Sequence, residues 1–161
     1  MGSAYIFRPM TAADLPRVRR WLALPHVLEW WGDPEQQYAL ISGDLSQPDM
    51  HQFIFSIGDS PFGYLQCYEL GAWNTGFGPQ PLGARGLDLF VGEPDNVGRG
   101  HGSALIRGFI EDLLQRGVPR MVTDPDPDNA RAIHAYQKAG FEKLGLIETP
   151  DGRALLMVRD R

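Results

Sequence analysis

The stretch VGRGHGS, residues 97–103, is the most informative part of the chain, because it joins a predicted strand ending at Val91 to a predicted helix beginning near Gly102. Its three alternating glycines allow the backbone to approach an anion closely, and the first turn of the following helix offers free N–H groups. This arrangement predicts a cradle for a pyrophosphate, to which Arg99 adds positive charge. The spacing differs from the dinucleotide-binding pattern GxGxxG, and no lysine follows as in a P-loop. Taken alone, the stretch is also compatible with a flexible glycine-rich turn.

The periodicity around this loop predicts an α/β (α+β) fold with a mixed sheet and helices on its faces. Apolar alternation indicates strands at residues 5–8, 52–57, 62–70, 86–91, 120–123, 141–147 and 154–159. Helical spacing and capping residues indicate helices at 11–22, 34–41, 102–116 and 129–139. The predicted order is therefore βααβββαβαββ. Residues 71–86 are rich in Gly and Pro and predict a loop long enough to line a site.

The composition predicts one domain over residues 1–161. Of its 161 residues, 43% are hydrophobic, which is enough for one buried core. The 15 basic and 20 acidic residues give a net charge of −5 without a basic stripe, which argues against nucleic acid or a membrane as partner. The single cysteine, Cys67, allows no intramolecular disulfide and suggests no metal site. No signal-like or membrane-spanning segment is evident, so we expect a cytoplasmic protein. We expect it to be a monomer or homodimer.

A second motif, further along the chain, narrows the interpretation of the glycine loop. Residues 129–141 read NARAIHAYQKAGF. Together the two stretches resemble the Q/R-x-x-G-x-G/A and N-x-x-A-x-x-x-Y-x-x-x-G-F motifs of the GNAT superfamily of N-acetyltransferases, although Val97 stands where the family usually has Gln or Arg. The resemblance implies a GNAT fold with about six to seven strands, a splay between its two central parallel strands, and acetyl-coenzyme A as co-substrate with no metal.

The resemblance also implies which residues contact acetyl-coenzyme A. The last residues of the strand before the glycine loop would line the pantetheine arm, amides of the loop would hold the pyrophosphate, and two residues of the second motif would complete the site. The implied cofactor-binding residues are Leu89, Phe90, Val91, Val97, Gly98, Arg99, Gly100, His101, Gly102, Ser103, Asn129 and Tyr136.

Three residues are candidates for catalysis. The resemblance assigns the Tyr136 hydroxyl to the coenzyme A sulfur as general acid, with a half-buried tyrosine packed on the sheet as the alternative. Asp88 lies inside an apolar strand, where a charge is costly unless it is used or paired. It is our candidate for a general base or amine anchor, with an ion pair to Arg85 or Arg99 as the alternative. Asp124, at the carboxyl end of the next strand, is a second candidate.

Two GNAT subgroups resemble this chain, the aminoglycoside 6′-N-acetyltransferases and the hydroxylysine acyltransferases of siderophore synthesis. Asp88 matches the first subgroup, since the second usually has His there, and residues 123–129 and 149–152 also match the first. We therefore predict acetylation of a small-molecule amine, an aminoglycoside 6′-amino group. Carboxylates would hold its charges and tryptophans would stack on its rings, although core packing explains the tryptophans equally well. The predicted substrate-binding residues are Glu29, Trp30, Trp31, Asp33, Glu69, Trp73, Asp88 and Asp124.

Three alternatives remain open from the sequence. The first is acylation of hydroxylysine or a related siderophore-precursor amine. Residues 71–86 contain no carboxylate, whereas the resembling aminoglycoside enzymes place several there, and residues 92–95 are closer to the siderophore subgroup. A peptide or protein acetyltransferase would need an open groove, which the aromatic loop argues against. A coenzyme A-binding protein without catalysis is the third alternative, against which Asp88 and Tyr136 speak.

Overall fold

A computed structural model describes residues 5–72 and 76–161. The helices within these ranges are α1 (Leu15–Leu22), α2 (Pro25–Trp31), α3 (Pro34–Asp44), α4 (His101–Gln115) and α5 (Ala130–Lys138). The strands are β1 (Tyr5–Pro9), β2 (Met50–Ile57), β3 (Ser60–Glu69), β4 (Arg85–Val91), β5 (Arg120–Thr123), β6 (Glu142–Thr149) and β7 (Gly152–Asp160). Among these described residues, no helix has the length and apolarity needed to cross a membrane.

The strands form one mixed sheet in the order β1-β2-β3-β4-β5-β7-β6. The parallel pair is β4 and β5, whereas β1 pairs antiparallel with β2, and β7 pairs antiparallel with both β5 and β6. This confirms the predicted mixed sheet and all of its predicted strands. The parallel pair follows from the chain between its strands, since a parallel connection needs a crossover and α4 supplies it.

Contacts along the chain divide it into two compact units. Unit 1 contains the described residues up to Cys67 together with Asp88–Arg99, and unit 2 contains Tyr68–Leu87 and Gly100–Arg161. The boundary in β4 falls between Leu87 and Asp88. The interpretation of the chain as one domain stays a prediction.

Unit 1 is built around aromatic side chains that the helical spacing of α1 only partly indicated. Helical spacing predicts that Leu15, Val18 and Leu22 face the core; Val18 and Leu22 are buried and Leu15 is half-buried. The largest buried side chain of α1 is Trp21. Its ring packs edge-on against Phe90 of β4 at 6.2 Å between centroids. A Cβ at Gly92 would lie 2.3 Å from the Trp21 ring, so only glycine allows this close packing.

The predicted element order omits one helix. The segment before α3 is itself helical and forms α2, so the observed order is βαααβββαβαββ, and α3 runs to Asp44 rather than to Ile41. Pro25 occupies the first turn of α2, where its missing N–H costs nothing. Gly32, with φ of 86°, ends the helix. These two residues are the boundary signals that the sequence offered for this short helix.

Unit 2 has its own apolar cluster, formed by Phe77, Val122, Leu156 and Val158. Phe77 lies in the long loop before β4, so this part of the loop is packed and not merely exposed chain. The hairpin of β6 and β7 closes at Thr149↔Gly152. Helix α5 stops where Gly140 adopts φ of 98°, as its sequence predicts.

Asp14 carries the first stability prediction. Its buried carboxylate accepts N–H bonds from Arg8 at 2.7 and 2.9 Å and from the Thr11 backbone at 2.9 Å. The hydrogen bonds from Arg8, ahead of other causes, lower the pKa of Asp14. Its contribution to stability is therefore present above the unfolded-state pKa and is lost as pH falls through the lower folded-state pKa. Asp14→Asn is expected to lower the free energy of unfolding at neutral pH by about 1–3 kcal/mol.

Urea denaturation at neutral pH and at about pH 3 tests this, because the difference between wild type and variant should shrink in acid. Asp160→Asn is the matched control, since that carboxylate also pairs with an arginine, Arg120, but is 59% exposed. It should cost less than about 1 kcal/mol. Equal losses for both variants would contradict the importance of burial at Asp14.

Candidate active site

The pairing of β4 with β5 stops well before β4 ends. Their register covers Arg85↔Met121 and Gly86↔Val122, although β4 continues to Val91. The next carbonyl, that of Leu87, accepts a hydrogen bond from the Thr123 hydroxyl at 3.0 Å. A side chain thus takes the place of a ladder partner at the end of β5. This agrees with the splay predicted between the two central parallel strands.

Asp88 lies half-buried on β4, in unit 1, as the charged residue of an apolar strand. Its Oδ2 accepts a hydrogen bond from Gln66 Nε2 of β3 at 3.0 Å. Gln66 in turn accepts from the Tyr64 hydroxyl at 2.7 Å. The predicted need for a polar partner is therefore met in part by an uncharged amide, which donates to the carboxylate and leaves its charge in place.

The three residues after Asp88 have different environments. The Phe90 side chain is 7% exposed and packs edge-on against Trp31 at 5.0 Å, so it belongs to the core and has only backbone to offer a cofactor. Leu89 and Val91 are half-buried. His26 Nε2 lies 2.9 Å from the Val91 carbonyl, which can only accept, so this nitrogen carries the proton.

The glycine loop has the backbone shape that its sequence predicts. Gly98 and Gly100 have φ of 74° and 78°, a region that other residues rarely adopt. Gly100 is the N-cap of α4, so no side chain at that position accepts from the N–H groups of the first turn. Arg99 is exposed, and Val97, His101, Gly102 and Ser103 are half-buried. The N-terminus of this fifteen-residue helix therefore fits an anionic group.

The segment between β5 and α5 supplies the polar residues of unit 2. Asp124 follows β5 directly and is half-buried. Asp126 serves the turn, since its Oδ1 accepts from the Asp128 backbone at 2.9 Å. The cap of α5 is Asn129, whose Oδ1 accepts from Ala132 N at 3.2 Å. The Asn129 oxygen already accepts one hydrogen bond, and its amide nitrogen is the donor that it can offer to a cofactor.

Tyr136 lies on α5 and is 6% exposed. Its ring packs edge-on against Phe141 at 5.2 Å between centroids. Phe141 belongs to the same motif as Tyr136 and immediately precedes β6, so this ring contact packs α5 against the start of β6. The buried ring agrees with the packing alternative. Because the hydroxyl of a buried tyrosine normally takes part in a hydrogen bond, the position is also compatible with the catalytic assignment.

The predicted substrate residues differ in exposure. Glu29 and Trp30 are exposed at the end of α2, whereas Trp31 is half-buried and packs against Tyr64 and Phe90, as the core alternative anticipated. Asp33 is exposed but also caps α3, because its carboxylate accepts from Gln36 N at 3.0 Å. Glu69 ends β3 and is half-buried. Trp73 lies outside the described residues.

The long loop of unit 2 forms a pocket of its own. A cavity of about 410 Å³ is lined by Leu70, Gly71 and residues between 76 and 84. None of the described residues that line it is charged. This pocket therefore offers no carboxylate to a cationic substrate. In the described part of the chain, no group of three or more His, Cys, Asp and Glu side chains is arranged to hold a metal ion.

Sequence reasoning missed His26, Tyr64 and Gln66. Gln66 could have been found in the same way as Asp88, because each is a polar residue within an otherwise apolar strand. Alternation along β3 also places Tyr64 and Gln66 on one face, which would have suggested that they interact. For His26 no local pattern existed, since its partner is a backbone carbonyl distant in the sequence.

These features define an acetyltransferase of the GNAT class. The family model described as "Acetyltransferase (GNAT) domain" matches residues 10–149, and the chain belongs to this family. The sequence is 36% identical to the aminoglycoside N(6′)-acetyltransferase type 1 of Klebsiella pneumoniae, over 96% of this chain and 82% of that protein. A kanamycin resistance protein of Rhizobium radiobacter is 44% identical over 49% of this chain and 74% of its own length.

A solved structure shows the same likeness in three dimensions. The aminoglycoside acetyltransferase AAC(6′)-Ib, in complex with paromomycin and acetyl-coenzyme A, superposes with a TM-score of 0.89 and 34% sequence identity. The match covers 99% of this chain and 94% of that one. The GNAT resemblance of the glycine loop and the second motif is thereby confirmed for the fold as a whole.

Proposed function

We propose that this chain transfers the acetyl group of acetyl-coenzyme A to the 6′-amino group of an aminoglycoside. The observation that carries the proposal is the 36% identity to an aminoglycoside N(6′)-acetyltransferase over 96% of the chain. The kanamycin resistance protein and the structure with paromomycin and acetyl-coenzyme A support the same substrate class. Asp88, rather than the His usual in the siderophore subgroup, distinguishes this proposal from its nearest alternative.

We assign the pyrophosphate of acetyl-coenzyme A to the glycine loop and the start of α4. The left-handed Gly98 and Gly100 let the backbone approach the phosphates, and the first-turn N–H groups of α4 and Arg99 supply positive charge. The pantetheine arm is assigned to Leu89, Phe90 and Val91, with Phe90 contributing through its backbone. Asn129 and Val97 complete the assigned contacts.

The reaction forms an N–C bond and breaks a C–S bond. Acetyl-coenzyme A supplies the acetyl thioester. Asp88 is assigned to hold the substrate ammonium and to accept its proton, because only the neutral amine can attack. Tyr136 is assigned to donate a proton to the departing thiolate. Asp124 is assigned to a further ammonium group of the substrate.

The charge of the chain suits a polycationic substrate. The net charge is −5, and Glu29, Asp33 and Glu69 are further carboxylates at exposed or half-buried positions. Trp30, being 39% exposed, is the described tryptophan most available to stack on a sugar ring. Because residues 71–86 contain no carboxylate, we expect weaker affinity for highly charged aminoglycosides than a loop with acidic residues would give.

The substrate is tested by measuring thiol release from acetyl-coenzyme A with a panel of amines. The panel contains kanamycin, N-hydroxylysine, spermidine and a short peptide with a free N-terminus. Turnover of kanamycin above the other amines is the expected result. Selective turnover of N-hydroxylysine would instead support acylation of a siderophore precursor, and selective turnover of the peptide would support a peptide acetyltransferase. Binding of coenzyme A without any turnover would support a non-catalytic role.

Gly100→Ala tests the assignment of the pyrophosphate. Alanine at φ of 78° costs about 1–2 kcal/mol, so the backbone is expected to rotate and turn the first N–H groups of α4 away from the phosphates. We expect the Kd for coenzyme A, measured by calorimetry, to rise about tenfold. Gly117→Ala is the matched control, since Gly117 follows the other end of α4 with φ of 110°. Equal Kd values for both variants would contradict the assignment.

A further inference from the structure

A chain of polar side chains runs through unit 1 and ends at Asp88. Gln52 Nε2 donates to the Ile41 carbonyl at 2.9 Å and to the Tyr64 hydroxyl at 3.1 Å. The Tyr64 hydroxyl donates to Gln66 Oε1 at 2.7 Å. Gln66 Nε2 donates to Asp88 Oδ2 at 3.0 Å. Four side chains from three adjacent strands are thus joined by hydrogen bonds that begin at a fixed backbone group.

The inner members of this chain are held rigidly. Gln52 is 7% exposed and Tyr64 is fully buried. The Tyr64 ring packs against Trp31 at 6.2 Å and against Phe90 at 5.5 Å. Polar groups buried in this way are costly unless they are hydrogen-bonded, and a satisfied network fixes the rotamers of its members. The position of the Tyr64 hydroxyl is therefore set by the core and not by solvent.

Only one assignment of donors and acceptors satisfies all the hydrogen bonds of this chain of side chains. A backbone carbonyl can only accept, so Gln52 must face Ile41 with its nitrogen, and its second N–H is directed at the Tyr64 oxygen. Tyr64 then donates its own proton to the Gln66 carbonyl oxygen. The nitrogen of Gln66 consequently faces Asp88, which accepts as an ionised carboxylate does. A flipped Gln66 amide would place an oxygen against the carboxylate.

The donor at the centre of the chain does not titrate under working conditions. Burial raises the pKa of Tyr64 well above its ordinary value. The hydroxyl therefore keeps its proton and remains a donor to Gln66 wherever the protein is folded and active.

We propose that Tyr64 is a positioning residue that acts through Gln66 to hold the Asp88 carboxylate in one orientation. The inference rests on the proposed role of Asp88 toward the substrate amine. Gln66 holds one carboxylate oxygen, which limits rotation of the group and presents it in a single geometry. An oriented carboxylate needs no reorganisation when the ammonium binds or gives up its proton.

Tyr64→Phe removes one hydroxyl and frees the Gln66 amide to rotate. With kanamycin and acetyl-coenzyme A, kcat/KM is expected to fall about tenfold, because the freed Gln66 amide no longer holds its hydrogen bond to the charged Asp88 carboxylate. This is the size expected for loss of a hydrogen bond to a charged group. The Kd for coenzyme A should not change. Tyr5→Phe is the matched control, because Tyr5 lies in β1 opposite Ile57 and its ring packs on Phe62. Its kcat/KM should equal that of wild type.

A double-mutant cycle separates positioning from general destabilisation. Gln66→Met alone should lower kcat/KM as much as Tyr64→Phe, and it serves as the second variant if Tyr64→Phe does not fold. Adding Tyr64→Phe to Gln66→Met should cause no further loss, because Tyr64 acts only through Gln66. Losses that multiply in the double variant would overturn the proposal, as would wild-type activity in a folded Tyr64→Phe protein.

Asp88→Asn distinguishes failure of this inference from failure of the proposed function. A slow Asp88→Asn variant together with a fully active Tyr64→Phe variant would leave the role of Asp88 intact and reject the positioning role of Tyr64. A fully active Asp88→Asn variant would reject the role of Asp88 itself. Side-chain ¹⁵N spectra give a reading that is independent of activity, since the Gln66 amide signals should shift in Tyr64→Phe and stay unchanged in Tyr5→Phe.

Discussion

Asp88→Asn is expected to lower kcat for kanamycin by about 100-fold or more, the contribution typical of a positioned acid or base. Asparagine keeps an oxygen that accepts from Gln66 Nε2, so the hydrogen-bonded chain and the fold are preserved. It has no charge to hold an ammonium group and no basicity to take its proton. The Kd for coenzyme A should change less than about threefold, because the Asp88 side chain is not among the assigned cofactor contacts.

Steady-state kinetics also separate two roles of Asp88. A fall in kcat at unchanged KM for the amine indicates a base, whereas a rise in KM at unchanged kcat indicates an anchor for the ammonium. Asp59→Asn is the control, since Asp59 is exposed in the turn between β2 and β3. A kcat/KM for Asp88→Asn equal to that of this control would remove Asp88 from the chemistry.

Tyr136→Phe is expected to lower kcat by about 10- to 100-fold when thiolate departure limits the rate. The variant loses the proton donor but retains the ring that packs against Phe141 at 5.2 Å, so this ring contact is preserved. The measurement is kcat over the pH range in which the protein is folded. The loss should occur without a comparable rise in the KM for acetyl-coenzyme A.

Phe141→Leu separates the hydroxyl of Tyr136 from the packing of its ring. Truncating Phe141 disturbs the ring contact and should lower Tm while leaving kcat nearly intact. If Tyr136→Phe is as active as wild type at every pH, water or substrate supplies the proton and the tyrosine is a packing residue. The two variants therefore decide between the alternatives left open by the motif.

Periodicity and turn residues predicted the strands of this fold because both are local signals. β5, for example, occupies the predicted residues 120–123, and Gly140 ends α5 as expected. Helix α2 was missed because its 7 residues, about two turns between Pro25 and Gly32, are too few for helical spacing to be distinctive. Trp21 was missed as a core residue because the close approach of Gly92, which makes room for it, is a tertiary contact.

The candidate site was predictable only where residues are recognisable by pattern. Asp88 stood out as a charge in an apolar strand, and the glycine loop stood out by its spacing. The orientation of Asp88 was not predictable, because it depends on a hydrogen bond from Gln66 of the neighbouring strand β3 and on the Tyr64 hydroxyl that orients Gln66. The same holds for Phe90, whose alternation indicated a face of the strand but not that Trp21 and Trp31 cover it.

The most direct test of the proposed function compares neomycin with paromomycin, which differ in carrying an amine or a hydroxyl at the 6′ position. Thiol release from acetyl-coenzyme A is measured with each, and the product is located by NMR. We expect neomycin to gain one acetyl group on its 6′ nitrogen and paromomycin to remain unacetylated. Equal turnover of both compounds, or acetylation of neomycin at another nitrogen, would contradict it.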